Sequence, residues 1–269
     1  FGHPEIYTIR YIFQGLEKSV TINALPKNEI QHNRTTKYPR TQFIKQPGEG
    51  MQLQFGPNNT YALLTIKDFH DEVLKTVYKQ NFKSAIADFF SRISAAQTRH
   101  LILDLRDNQG GDIENGVRLL ANLMQEPFEV VRNYQCLKNG QPVNCSGAEE
   151  GEHQPVKKPY SGKLYVLING GSFSNSVIVS SCLREHQRAV FIGEESGGNP
   201  HILAGNAADY KLPHTKIRVE IPTLRYVMTN DSLNTGRGIE PDYPVANSIQ
   251  DRINGIDKPL EFAIRLSLR

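Results

Sequence analysis

The chain contains no tryptophan, only three methionines and only three cysteines in its 269 residues. So few thiols cannot staple a fold together, and a chain of this length buries a core without such help. No apolar run reaches the length that spans a bilayer, so no membrane crossing is expected from these residues. Charge of one sign is missing too: 31 Lys and Arg stand against 28 Asp and Glu, a formal net charge of +3. That balance lacks the basic excess of a dedicated nucleic-acid binder, so nucleic acid is not an expected partner. No HExxH, no Gly-x-x-x-x-Gly-Lys-Ser/Thr and no Rossmann fingerprint occurs, so neither a metal nor another cofactor is expected. The first residue is Phe1. A processed or excised form is therefore expected, with any signal peptide, anchor or upstream domain outside these residues.

What is present alternates strand and helix. Residues 5–24 alternate apolar and polar on either side of Gln14-Gly15, the pattern of a hairpin. Residues 25–50 are rich in Pro, Asn, Lys, Thr and Gly and read as a long loop or linker. Residues 1–50 are thus expected to form a small N-terminal β hairpin and linker, the remnant of an upstream region, and 51–269 the core. Within the core, Met51 to Phe55 and Tyr61 to Ile66 read as strands around the turn Gly56-Pro57-Asn58-Asn59. Asn81 to Gln97 repeats Phe82, Ile86, Phe89, Phe90 and Ile93 at helical spacing. The apolar runs Leu101 to Leu105, Leu164 to Ile168 and Ala189 to Ile192 read as strands covered on both faces. Helices are expected over Ile113 to Met124, Ser174 to Arg184 and Leu260 to Leu268, and strand and loop from His201 to Tyr243. The alternation predicts an α/β fold, a mostly parallel sheet with packed helices.

Cys136 and Cys145 flank Asn139-Gly140, the strongest short hairpin signal in the chain. Cross-strand cysteines there reach disulfide geometry and would place the protein in an oxidising compartment; two free thiols on a surface hairpin are the alternative. Cys182 falls on an apolar helix face and reads as packing. Asn33, Asn58, Asn144 and Asn230 each open an Asn-x-Ser/Thr triplet, which decides nothing about the host.

Two junctions carry chemistry. In Asp104-Leu105-Arg106-Asp107-Asn108-Gln109-Gly110-Gly111 a buried strand breaks into paired glycines before a helix. Such a turn exposes amide N–H groups beside the positive end of a helix dipole, a place for an oxyanion. An ordinary capped turn explains it equally well. In Asn169-Gly170-Gly171-Ser172-Phe173-Ser174-Asn175-Ser176 a second strand turns into a helix. A serine there projects its hydroxyl over the end of the sheet, although the Gly-x-Ser-x-Gly spelling is absent and Ser172, Ser174 or Ser176 can each be simply a cap.

Together these segments resemble the tail-specific, or C-terminal-processing, serine peptidases, with their tricorn-type and interphotoreceptor retinoid-binding relatives. Leu101 to Gly111 matches the "LILDLRxNxGG" segment and Gly171 to Ser176 the nucleophile segment. Gly193 to Pro200 matches the "GExxGG" loop and Gly238 to Asp242 the "GIxPD" ending, in the same order and over roughly Tyr61 to Val245. Leu212-Pro213-His214-Thr215 is most similar to the exported Bacteroidetes-type branch. The resemblance implies a crotonase-like core, hydrolysis of peptide or protein substrates, and a location in the bacterial envelope, periplasm or cell surface. It puts the nucleophile on Ser174 and the oxyanion hole on the amide of Asn175 with one from the Gly110-Gly111 pair.

The general base departs from the pattern. In the processing-peptidase branch it resembles a lysine in the loop after "GExxxG", and here that position is Asn199. Three readings remain: a histidine upstream of these residues, as in the tricorn-type branch; His201, two residues on; or a non-catalytic relative that binds peptides or apolar ligands. His3, His32, His70, His100 and His186 read as loop or element-end residues, Asp104 and Arg106 as an architectural pair, and Glu194 and Glu240 as solvated carboxylates beside the cleft. An acyl-CoA enzyme of the crotonase class would share the fold but gives the serine segment no role.

Overall fold

A computed structural model describes residues 5–36, 48–138, 140–147, 149–229 and 236–268. Asn139 of the hairpin turn, Asn230 and residues 37–47 of the expected linker lie outside them. The chain divides into two units, Phe1–Gln46 and Pro47–Arg269.

The first unit holds the expected hairpin, β1 (Ile6–Phe13) and β2 (Leu16–Asn23). Gln14 and Gly15 both take positive φ, as a two-residue turn between right-twisted strands requires. The register sets Tyr7 against Ile22, Ile9 against Val20 and Phe13 against Leu16, while Thr8 meets Thr21 and Arg10 meets Ser19 on the other face. The linker expectation is corrected by α1 (Lys27–Thr36), which occupies part of it. The Pro26 carbonyl accepts the N–H groups of Glu29 and Ile30, and Glu29 sits in the first turn where a negative charge is favourable. No apolar stripe marks this helix, which is why the periodicity passed over it.

The second unit runs β3 (Met51–Phe55), β4 (Ala62–Ile66), α2 (Asp71–Thr76), α3 (Phe82–Ala95), β5 (His100–Asp104), α4 (Ile113–Leu123), β6 (Val131–Lys138) and β7 (Gln141–Cys145). It continues with β8 (Lys163–Ile168), α5 (Asn175–Glu185), β9 (Val190–Gly193), β10 (Ile202–Lys211), β11 (Arg218–Met228), β12 (Tyr243–Pro244), α6 (Ile249–Ile253) and α7 (Lys258–Ser267). Six strands in the order β12-β9-β8-β5-β4-β3 make the main sheet, parallel except for β3. Its strands are apolar on both faces because both are covered. Leu101, Leu103, Val166, Ile168 and Phe191 pack with the buried faces of α3, α4 and α5. The alternate residues Ile102, Tyr165, Leu167 and Ile192 pack with Ala263 of α7. Each fully buried side chain of this size contributes on the order of 2 kcal/mol.

The stretch from His201 to Tyr243, expected only as strand and loop, supplies β10 and β11 to a second, antiparallel sheet in the order β10-β11-β6-β7. There Cys136 and Cys145 form the disulfide, diagonal to each other: the register pairs Cys136 with Val143 and Tyr134 with Cys145, and the Cα atoms are 6.0 Å apart. Cys182 is buried, which pushes its thiol pKa up and leaves it as packing. No helix among the described residues is long and apolar enough to cross a membrane.

Candidate active site

Parallel strands end together, so the chain leaves the carboxyl edge of β4, β5 and β8 in three neighbouring loops: 67–70, 105–112 and 169–174. The serines bind these loops to each other. Ser172 Oγ donates to the Leu105 carbonyl at 2.9 Å and accepts the Asn169 N–H at 3.1 Å. Ser176 Oγ donates to the Asn108 carbonyl at 2.9 Å, which also accepts the Phe173 N–H. Both serines are fully buried.

Ser174 differs. It precedes α5 with φ 52° and ψ −119°, a conformation that costs a side-chain-bearing residue about 1–3 kcal/mol. Its side chain makes no cap hydrogen bond to the helix. Among the three serines left open above, Ser174 is the one whose hydroxyl is neither buried nor bound to a loop carbonyl.

The glycine pair lies against it. A Cβ on Gly110 would fall 2.5 Å from Ser174 Cβ, so only hydrogen fits there. Gly110 donates its N–H to Asn108 Oδ1 at 2.8 Å, which turns that amide away from the cavity. Phe69 N–H donates to the Gly110 carbonyl and the Phe69 carbonyl accepts the Asp112 N–H, so in this parallel bridge the intervening Gly111 points its own N–H to the opposite side. Of the glycine pair expected to supply one oxyanion donor, Gly111 therefore has its amide available and Gly110 does not. Asn175 N–H stands at the first turn of α5, where the helix offers it no acceptor and the dipole is positive. Asn175 Nδ2 donates to the Asp112 carbonyl at 2.6 Å.

Ser174 and Gly111 line a cavity of about 220 Å³. Ser174, Gly111, Gln109 and His70 supply its polar wall, Ile113 and Ile178 its helical wall, and Leu203, Asn206 and Tyr226 of the second sheet its roof. The sequence reading missed that roof and His70. For the roof the available signal was the long stretch from residue 202; for His70 it was Asp68, two residues before it. Asp68 Oδ1 accepts the His70 N–H at 2.7 Å and lies 2.8 Å from His70 Nδ1, on a half-exposed ring.

The other candidates stand elsewhere. His201 is buried and does not line the cavity; its N–H is held by Asn199 Oδ1 at 2.8 Å and its carbonyl by Met228. The neighbouring Pro200 accepts from Ser181, about two turns along α5 from Ser174. The structure thus does not bring His201 to the cavity that Ser174 lines. Asn199 caps the loop by also accepting the Ile202 N–H. Glu194, Glu195 and Glu240 line a separate hollow of about 390 Å³. Hydrogen bonds from Arg237 and Gly238 hold the pKa of the half-buried Glu195 carboxyl at about 2. Arg106 forks onto Asp104 and Asp257, joining the end of β5 to the start of α7. Burial alone would lower its pKa, but the two carboxylates outweigh burial and raise it. No cluster of three or more His, Cys, Asp or Glu suited to a metal occurs among the described residues.

The profile of peptidase family S41 matches residues 60–245, nearly the span covered by the ordered motifs. A carboxy-terminal-processing protease of Bartonella bacilliformis is 29% identical over 67% of this chain and 38% of its own length. Carboxyl-terminal-processing peptidase 2 of Arabidopsis thaliana, a chloroplast protein, is 27% identical over 90% of this chain and 43% of its own. The chain thus spans less than half of these relatives. Among solved structures, mature CPAF superposes with a TM-score of 0.62 at 14% identity, over 97% of this chain and 66% of that one, and shares the fold.

Proposed function

The chain belongs to peptidase family S41, and we propose that it hydrolyses peptide bonds through an acyl-enzyme on Ser174. The observation that carries this is the contrast among the three serines: two are buried ties, while Ser174 presents its hydroxyl to a cavity beside two backbone amides. Attack of Oγ on a carbonyl carbon places the developing oxyanion between Gly111 N–H and Asn175 N–H. One such donor is worth about 3 kcal/mol of transition-state stabilisation. Substrate is held as an added strand: β10 is the edge of its sheet, and its residues Leu203 to Asn206 line the same cavity. The Cys136–Cys145 bond favours an exported, oxidising setting.

Asn199 in place of a lysine favours the second reading, a peptide-binding relative without hydrolysis. A fluorophosphonate probe decides between them. The expected result is one adduct, located on Ser174 by mass spectrometry and lost in Ser174→Ala, with the variant unfolding at the wild-type temperature. An adduct on any other serine, or none, overturns the acyl-enzyme reading.

A further inference from the structure

We propose that His70, oriented by Asp68, is the general base for Ser174, an inference that rests on the acyl-enzyme reading above. The segment that carries it is fixed to the oxyanion loop. Phe69 is fully buried, donates its N–H to the Gly110 carbonyl at 2.9 Å and accepts the Asp112 N–H, so His70 sits at a set position beside Gly111. Asp68 Oδ1 holds both the backbone N–H and Nδ1 of His70, at 2.7 and 2.8 Å. An ionised carboxylate only accepts, so the neutral form of the ring carries its proton on Nδ1 and offers the Nε2 lone pair.

His70 and Ser174 line the same cavity from either side of the glycine pair. A Cβ on Gly110 would meet Ser174 Cβ at 2.5 Å and one on Gly111 would meet His70 N at 2.3 Å, so the glycine pair that touches both puts no side chain of its own between them. No other described histidine lines this cavity. His100 begins β5 at the opposite end of the sheet, and His186 accepts its place at the far end of α5.

The chemistry balances within these groups. Ser174 Oγ–H gives its proton to His70 Nε2 as Oγ bonds to the carbonyl carbon. The imidazolium, steadied by Asp68, returns that proton to the leaving nitrogen as the C–N bond breaks. Water repeats the cycle: its proton goes to Nε2, its oxygen bonds to the acyl carbon, and Oγ departs with the proton. Asp68 is a positioning residue, and His70 is the group that touches the reacting atoms.

The test measures the rate of fluorophosphonate labelling of the full chain and of His70→Ala, His70→Gln, Asp68→Asn and Ser174→Ala. His70→Gln keeps a polar side chain at the half-exposed site but has no base, so it controls for folding. Both His70 variants are expected to label about 10²–10⁴-fold more slowly, and added imidazole is expected to restore part of the rate in His70→Ala only. Asp68→Asn is expected to lower the maximal rate while leaving the probe concentration at half-saturation unchanged. Wild-type labelling that disappears in Ser174→Ala but survives in both His70 variants overturns the proposal and leaves the acyl-enzyme intact. No labelling of the wild-type chain overturns both.

Discussion

Placing a methyl group on Gly110 probes the contact between the oxyanion loop and the serine directly. Gly110 has φ 101° and Gly151 has φ 91°, so Gly110→Ala and Gly151→Ala each force a side chain into backbone that such residues rarely adopt. That cost, about 1–3 kcal/mol, is common to both. They differ in what the methyl meets. At Gly151 nothing lies within 4 Å. At Gly110 the new carbon would lie 2.5 Å from Ser174 Cβ and 2.9 Å from both Ser174 Oγ and Asn175 N. Ordinary contacts need about an ångström more, and the serine cannot drift away because Ser172 and Ser176 tie the chain on either side of it. Overpacking of this kind costs about 1–3 kcal/mol. Gly110→Ala should therefore be about 2 kcal/mol less stable than Gly151→Ala in urea denaturation, and melt about 4–8 °C lower. Displacing the nucleophile by about 1 Å should also slow fluorophosphonate labelling about 100-fold, with no such change in Gly151→Ala. Equal stabilities and equal labelling in the two variants would refute the packing of the glycine pair against Ser174.

Two further outcomes follow from other parts of the fold. The Cys136–Cys145 bond closes a sequence separation of 9 residues. Loop-closure entropy makes it worth about 2–3 kcal/mol. The double variant Cys136→Ser/Cys145→Ser should lose that much in urea denaturation yet label normally, because β11 separates this hairpin from β10 at the cavity; unchanged stability would contradict it. Asp251 is held at about 2, below its ordinary 3.8, first by its hydrogen bond with Lys258 and then by those with Ser248. A depressed carboxyl pKa stabilises the folded state above the ordinary value and loses that effect as pH falls through the folded value. Asp251→Asn should therefore melt below wild type near neutral pH and converge with it by about pH 2. A constant offset across the titration would refute the assignment.

Legibility of the fold followed burial. The strands around Leu101, Leu164 and Val190 are apolar on both faces because helices cover both, so a short continuous run announced each of them. The second sheet gave no such run: β10 and β11 leave many side chains in solvent, and their partner β6 lies far away in the chain, where local periodicity cannot register it. The helix α1 was hidden because the residues from Lys27 to Thr36 carry no apolar stripe.

The site divides along a similar line. Gly111, Ser174 and Asn175 sit in loops whose own residues reveal the turn: paired glycines, or a serine between a strand and a helix. Which serine and which glycine amide are available depends on hydrogen bonds to Asn108, Leu105 and Phe69, and all of these cross between loops. His70 is the extreme case. Nothing near it in the chain marks it except Asp68, and its place beside Ser174 arises because β4 and β5 pair in parallel, so that the loops leaving them meet at Phe69 and Gly111. A catalytic role assigned to His70 is thus a consequence of topology. Any change that shifted the β4–β5 register by one residue would remove it while leaving every motif in the sequence intact.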